Sequence, residues 1–505
     1  MVNFRFLEYS VEALKAIFEE ATGTPGQNIA RKNHLTYFEE YFRVLKAKTI
    51  IVETPYVDHD FLEDFSAYYV KCFRSYDRFC SRLHFLNIPL SSEFFDNILQ
   101  SGSDSISVKD LNDAYLGFVV VKPIPSTFIG RTCLKTYSPD GERSFPFTHE
   151  YEVSLAGLSL KVKSLAYQEQ DSIVAACAST AIWTAFQATA FLFQHHVPTP
   201  VEITKAAVRY FPFSNRNFPN KGLSEEQMAQ AIRDVGLEPY LVTASDPDLI
   251  KATIYAYQKA GIPLILGFGF AGMNSSDGKH AVAVTGYRTN GLKANFPGST
   301  FHLYSSRMTK IYVHDDQVGP FARMEFVPGT NKFTTSWPDK HGLTGNVQAA
   351  PLMLLIPLYN KLRIPFELIL NITLQFDKLL DLVNARINYR IDDIEWEIFL
   401  SRSKELKTEI FHSDLENAEK LKILKRSLPR YVWRANAHLD GEKVEFIFDT
   451  TDIEQGNIFI CHINKSVNLI RIIKTIADNI DLSIIKSMPL RNIFRSIRDQ
   501  TSDAW

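Results

Sequence analysis

The chain of 505 residues is poor in cysteine, and its five cysteines (72, 80, 133, 177 and 461) are odd in number and scattered, with no Cys-x-x-Cys pair. That excludes a disulfide framework and a zinc ribbon and points to a reducing compartment. Long hydrophobic runs are missing as well: PLMLLIPLY (351–359) is too short to cross a bilayer. The opening stretch MVNFRFLEYSVEALKAIFEE carries acidic residues at helical spacing, and has neither the apolar core nor the cleavage site of a signal peptide. Charge of one sign is also lacking, since 55 Lys and Arg against 57 Asp and Glu leave a formal −2. There is thus no global case for nucleic acid or an anionic membrane as partner. Repeats and low-complexity tracts are absent. His34, His59 and His84 have no metal-ligand spacing and read as structural or surface residues. The expectation is a cytoplasmic, soluble protein with no metal and no cofactor.

What is present is globular: 45% hydrophobic and 22% charged residues. The length calls for more than one domain. Residues 1–145 read as a helical to mixed domain, with helical spacing at Val11–Ala21, Tyr37–Leu45 and Phe61–Phe85 and a β-rich run, AYLGFVVVKPIP, at 114–125. Within it FRSYDRFCSRLH (73–84) interleaves Arg with aromatics, the pattern of a solvated edge beside a core stripe more than of a nucleic-acid face. The polar, turn-rich SPDGERS (138–144) reads as a linker.

In residues 146–330 a hairpin about Gly157 leads to a polar loop and an apolar helix. A helix N-capped by Ser224 and a helix after Asp246 follow, and then strands at 262–270, 279–287 and 310–316. Helices first and strands after indicate an α+β unit. Residues 331–505 read as a mixed α/β region, with strands at 352–359, 395–402 and 442–451 and helices at 366–383 and 467–485. In the last helix Ile473, Ile476, Ile480 and Ile484 share a face suited to a core or an oligomer contact.

The chemistry gathers around YQEQDSIVAACASTAIWTAFQATAFLF (167–193). Cys177 stands where the polar loop gives way to helical spacing, at a helix start whose unpaired N–H groups and partial positive charge favour a thiolate. Its neighbours Ala175, Ala176, Ala178 and Ser179 are small enough for a substrate backbone to approach the sulfur. His280 opens the strand HAVAVTGY after a loop (272–279) rich in glycine and serine. Asp315 ends the next strand, on the face of Ile311 and Val313, which places Asp316 on the opposite face. A carboxylate beside His280 would fix the ring, and the ring would take the proton of Cys177. Gln170, or Gln168, could donate to a developing oxyanion together with the N–H of Cys177.

The helix led by a Gln loop and a Cys, the strand H-A-V-x-V-T-G-Y, and a strand ending in Asp with a Gly four residues later resemble the papain-like cysteine peptidases. The likeness is to the compact bacterial branch related to bacteriocin-processing peptidases, over about residues 150–330. The resemblance implies a papain-like core, in which the Cys helix packs on an antiparallel sheet bearing His and Asp, flanked by N- and C-terminal α/β regions. It also implies Cys177 as nucleophile, His280 as base, Asp315 as orienter and Gln170 as oxyanion donor. The expected substrate is a protein or peptide, with flanks that bind a regulatory partner. Acyl transfer to an amine by the same triad, or a non-catalytic interaction module, are the alternative readings. Gln170 stands seven residues before Cys177, one more than is usual in that family, and Ala178 replaces its usual Gly.

Overall fold

A computed structural model describes residues 3–101, 106–138, 140–171, 173–210, 222–243, 246–270, 278–292, 301–339, 341–387, 394–451, 456–465 and 467–499. The architecture is mixed α and β with several sheets. The sequence suggested three consecutive domains, whereas the chain divides into two compact units assembled from interleaved segments. One comprises Met1–Ser245, Pro263–Arg288 and Lys310–Pro357; the other comprises Asp246–Ile262, Thr289–Thr309 and Leu358–Trp505.

The first unit opens with a sheet that helical spacing did not announce. Its strands Asn3–Glu8, Thr49–Tyr56, Cys80–Leu86, Tyr115–Val121 and Ile129–Leu134 lie side by side in that order, each antiparallel to the next. The helix expected over Phe61–Phe85 runs only from His59 to Ala67, and Cys80–Leu86 is a strand. Six of that strand's seven residues are buried, so the alternation that marks a one-sided strand is missing. The helices Val11–Thr22 and Asn33–Leu45 form where spacing places them, the first N-capped by Ser10, which accepts from Ala13 N–H at 3.0 Å. The hairpin His149–Leu155 and Leu158–Ser164 turns at Gly157, whose φ of 89° suits glycine.

The same unit holds a closed ring of six strands: Leu264–Phe270, Lys279–Thr289, Met308–Asp315, Gly319–Phe326, Phe333–Thr334 and Gln348–Leu358, the last pairing back onto the first. Closure leaves the ring without a free edge. The segment expected as a linker belongs to this body, since Arg143–Ser144 pairs with the His280 strand at Tyr287 and Arg288. A side chain at Gly286 would stand 2.4 Å from the Ser144 carbonyl, so glycine is what admits this extra strand. The helix Cys177–Phe193 shares a core with the ring: Ala178, Ala181, Ile182 and Ala185 pack in one cluster with Ile265, Ala281 and Met353. Alanines at that spacing let the helix lie close to the sheet.

The second unit is a five-stranded sheet, ordered His302–Leu303, Glu395–Arg402, Tyr431–Leu439, Glu442–Phe448 and Phe459–Asn464. The helix Phe366–Ile387 covers one face through Phe376, whose ring meets Trp396 at 5.9 Å and Phe446 at 5.2 Å. Leu406, Ile410 and Ile423 pack against Val432 and Ile447 on the other. On that side Glu445 is fully buried among Arg434, Lys443 and Lys465. Burial alone would raise its pKa; the three cations outweigh burial and hold it down at about 2. The amphipathic helix expected over 467–485 spans Val467–Asp478, and a further helix, Met488–Arg498, follows it; Ile473, Ile476 and Ile480 are buried while Ile484 is exposed.

Candidate active site

Cys177 is the first residue of its helix, and the preceding Ala176 offers no side-chain cap to the first turn. The loop before it is held from several sides. Asp171 accepts the N–H of Ile173 at 2.9 Å and the hydroxyl of Tyr69 at 2.6 Å, and its carbonyl accepts the N–H of Ala175 at 3.2 Å. Thr204 donates to the carbonyl of Val174 at 2.8 Å and contacts Ser179 at 3.1 Å, joining loop and helix. Glu169, buried, pairs with Lys32 and accepts the N–H of Ile129 at 3.1 Å. Cys177 itself is only half-buried.

His280 lies on the strand Lys279–Thr289, directly across the ladder from Phe268. Its Nε2 is 3.0 Å from Asp315 Oδ1, and the Cys177 side chain comes near enough to the ring to add, after the two carboxylates, to the rise in its pKa. With Nε2 turned to the carboxylate, Nδ1 is the nitrogen left for the sulfur. The structure therefore brings Cys177, His280 and Asp315 together from a helix start and two neighbouring strands.

Asp316 departs from the expectation. Strict alternation turns it away from His280, yet its Oδ1 lies 3.4 Å from His280 Nε2. The register slips between Val313 and Asp315, and the chain turns at once, with Val318 N–H donating to the Asp315 carbonyl at 3.0 Å. A bulge of this kind breaks the two-residue period on which the expectation rested. Gly319 completes the turn at φ 155°, where a Cβ would stand 2.3 Å from the Tyr37 ring. His280 thus faces two buried carboxylates.

Electrostatics follow from that placement. Burial would lower the pKa of His280, but Asp315 and Asp316 outweigh it and hold the ring well above the ordinary imidazole value. Burial pushes the Asp316 carboxyl up to about 7; His280 opposes the rise and Asp315 adds to it. The neighbouring His314 stays neutral. Burial drives its pKa down to about 3 while Nε2 donates to the Leu165 carbonyl at 3.0 Å and Nδ1 accepts from Phe321 N–H at 3.1 Å.

Several residues of this site carry no motif. Trp337 Nε1 donates to Asp315 Oδ2 at 2.7 Å, and its ring stands edge-on to His280 at 5.4 Å. Gln317 N–H takes Asp315 Oδ1 at 3.0 Å. Phe268 and Phe270 complete an aromatic surround. His34, read from the sequence as structural or surface, is buried and reaches the hydroxyl of Tyr167 at 2.7 Å; that hydroxyl donates to the Asp315 carbonyl at 3.2 Å. Trp337 follows Asp315 by twenty-two residues in a polar segment, and nothing in its spacing links it to a histidine strand.

The two glutamines fare differently. Gln170 lies half-buried on the loop, with no hydrogen bond among the described residues that fixes its side chain toward Cys177. The Gln168 amide nitrogen is buried without a partner. The loop 272–279 expected before His280 lies largely outside the described residues. Among the described residues, one donor atom each from His280, Asp315 and Asp316 falls within 4.8 Å, a spacing a cation could bridge. Asp315 also accepts N–H groups from Trp337 and Gln317. No family model matches the chain, and no curated protein matches its sequence.

Proposed function

We propose that the chain is a cysteine-dependent hydrolase, a peptidase that cleaves a peptide or isopeptide bond, with a papain-like core within residues 146–330. The observation that carries this reading is the His280 ring, held 3.0 Å from the Asp315 carboxylate with the Cys177 side chain near enough to act on its charge. In such a site the Cys177 sulfur attacks the carbonyl carbon while His280 holds the thiol proton. The C–N bond breaks, His280 gives that proton to the leaving amine, and an acyl-Cys177 remains. Water then attacks, giving a proton to His280, and the acid leaves as the thiol reforms. The uncapped first turn of the Cys177 helix offers N–H groups to the oxyanion, with Gln170 as the side-chain donor in this reading.

The substrate is a polypeptide, and a reducing compartment such as the cytoplasm suits a free nucleophilic cysteine. Among the described residues no helix is long and apolar enough to cross a membrane. The remainder of the chain binds the substrate or a regulatory protein partner.

Exposure to a peptidyl epoxide, followed by peptide mapping, tests the reading. Cys177 should carry the adduct, and unfolded polypeptides should be cut with new amino termini. A missing adduct together with uncut polypeptides would overturn the proposal. If added amines capture the acyl group at the expense of free acid, the same triad serves acyl transfer instead.

A further inference from the structure

The segment Val70–Phe79, VKCFRSYDRF, departs from the helix its spacing suggests and forms a loop between the turn Tyr69–Lys71 and the strand Cys80–Leu86. Phe73 is fully exposed, and Val70, Phe79 and the nearby Val57 are exposed as well. Val57 and Phe79 emerge side by side, because Tyr56 and Cys80 are paired across the ladder. Lys71, Arg74 and Arg78 are exposed around them with Asp77 as the one carboxylate of the segment. Among the described residues none of the three cations has an ion-pair partner. Asp77 accepts the N–H of Phe79 at 3.1 Å.

The loop is preformed. Tyr76 packs edge-on against Tyr69 at 5.1 Å, Arg74 lies over the Tyr76 ring at 5.8 Å, and Arg78 over Phe79 at 5.0 Å. Its base is tied to the nucleophile, since Tyr69 donates to Asp171, the residue that shapes the turn into Cys177. An exposed aromatic among arginines is the composition of binding hot spots.

We propose that this loop is a docking surface for an acidic segment with apolar residues in a polypeptide substrate of Cys177, a proposal that rests on the peptidase reading. The cations match acidic side chains, and Phe73, Val70 and Val57 match apolar ones. An anionic membrane fits less well: polybasic membrane segments carry about four to eight cations, and here there are three. Through Tyr69 the base of this loop is hydrogen-bonded to Asp171, on the loop that leads into Cys177.

The test is binding, so it does not depend on turnover. The full chain carrying Cys177→Ala is titrated by fluorescence anisotropy with a labelled peptide, Asp-Leu-Glu-Asp-Leu-Glu-Asp-Leu, and with its counterpart in which Lys replaces the acids. Vesicles of phosphatidylserine and phosphatidylcholine form a third arm. The acidic peptide should bind saturably and the Lys peptide should not. Phe73→Ser and the pair Arg74→Glu with Arg78→Glu should each weaken binding about tenfold or more, with unchanged melting temperature, because these side chains face solvent. Equal affinity in the variants, equal binding of the Lys peptide, or no binding overturns the proposal. Vesicle binding lost in the same variants, without peptide binding, overturns it in favour of a membrane surface. Peptide binding by this variant, with a wild-type chain that fails to label at Cys177, would sink the peptidase reading and leave the surface standing.

Discussion

Cys177→Ala should abolish turnover, by roughly 10⁵-fold, and leave the melting temperature near that of the wild type. The change removes one sulfur atom from a half-buried helix start whose flanking positions are already alanine. His280→Ala should cost nearly as much rate, because a nucleophile and its base act as a unit, and the double variant should be hardly worse than either single one. The two variants should differ in stability. Removing His280 strands Asp315 and Asp316 in a buried site without their cation, which costs roughly 3 kcal/mol, so His280→Ala should melt distinctly lower. Losses that multiply in the double variant would show that the two residues do not work together.

Asp315 and Asp316 should be partly interchangeable. Asp315→Ala removes the 3.0 Å partner of His280, and the turn and Trp337 lose their acceptor with it. Turnover should fall about 10- to 100-fold. Asp316→Ala should cost only about severalfold, because its carboxylate stands at 3.4 Å and Asp315 remains. The double variant should lose more than the product of the two, since each carboxylate covers for the other. The pH dependence has a definite sign. In the fold His280 holds its proton to a pH above the ordinary imidazole value, so activity that needs the protonated ring persists there and falls as pH rises through the raised value. Asp316, with its carboxyl near 7, is neutral below that pH and supports the ring's charge above it. Asp316→Asn should therefore move the alkaline limb of the rate profile to lower pH and leave the acid side nearly unchanged. Rate profiles that superimpose would contradict a role for the second carboxylate.

What could be read from the sequence was whatever is local. A polar loop running into helical spacing located Cys177 at a helix start. Apolar runs bounded by Gly and Asp located the strands of His280 and Asp315. What escaped is non-local or irregular. The two-residue period predicted the face of Asp315 and failed one residue later, where a bulge and a turn bring Asp316 round to the same ring. Trp337 and His34 reach the site from distant segments, and only the closed strand ring and the buried Tyr167 make them neighbours of Asp315. The amino-terminal sheet was hidden because strands such as Cys80–Leu86 are covered on both faces and lack alternation. The Tyr69 hydroxyl bonds the base of the aromatic loop at 70–79 to Asp171 ahead of Cys177, a long-range contact that no spacing rule reveals.

The most direct measurement of the central claim, that His280 activates Cys177, is the rate of iodoacetamide labelling at each cysteine of the folded chain near neutral pH, in the wild type and in His280→Ala. Burial pushes the Cys80 thiol up, and that of Cys133 up to about 12, so neither should react in the folded protein. Cys461 is buried as well. The account predicts fast, selective labelling of Cys177, ahead of the half-buried Cys72, and a loss of that advantage in His280→Ala. Labelling of Cys177 no faster than that of Cys72, or a rate unchanged by His280→Ala, would contradict it.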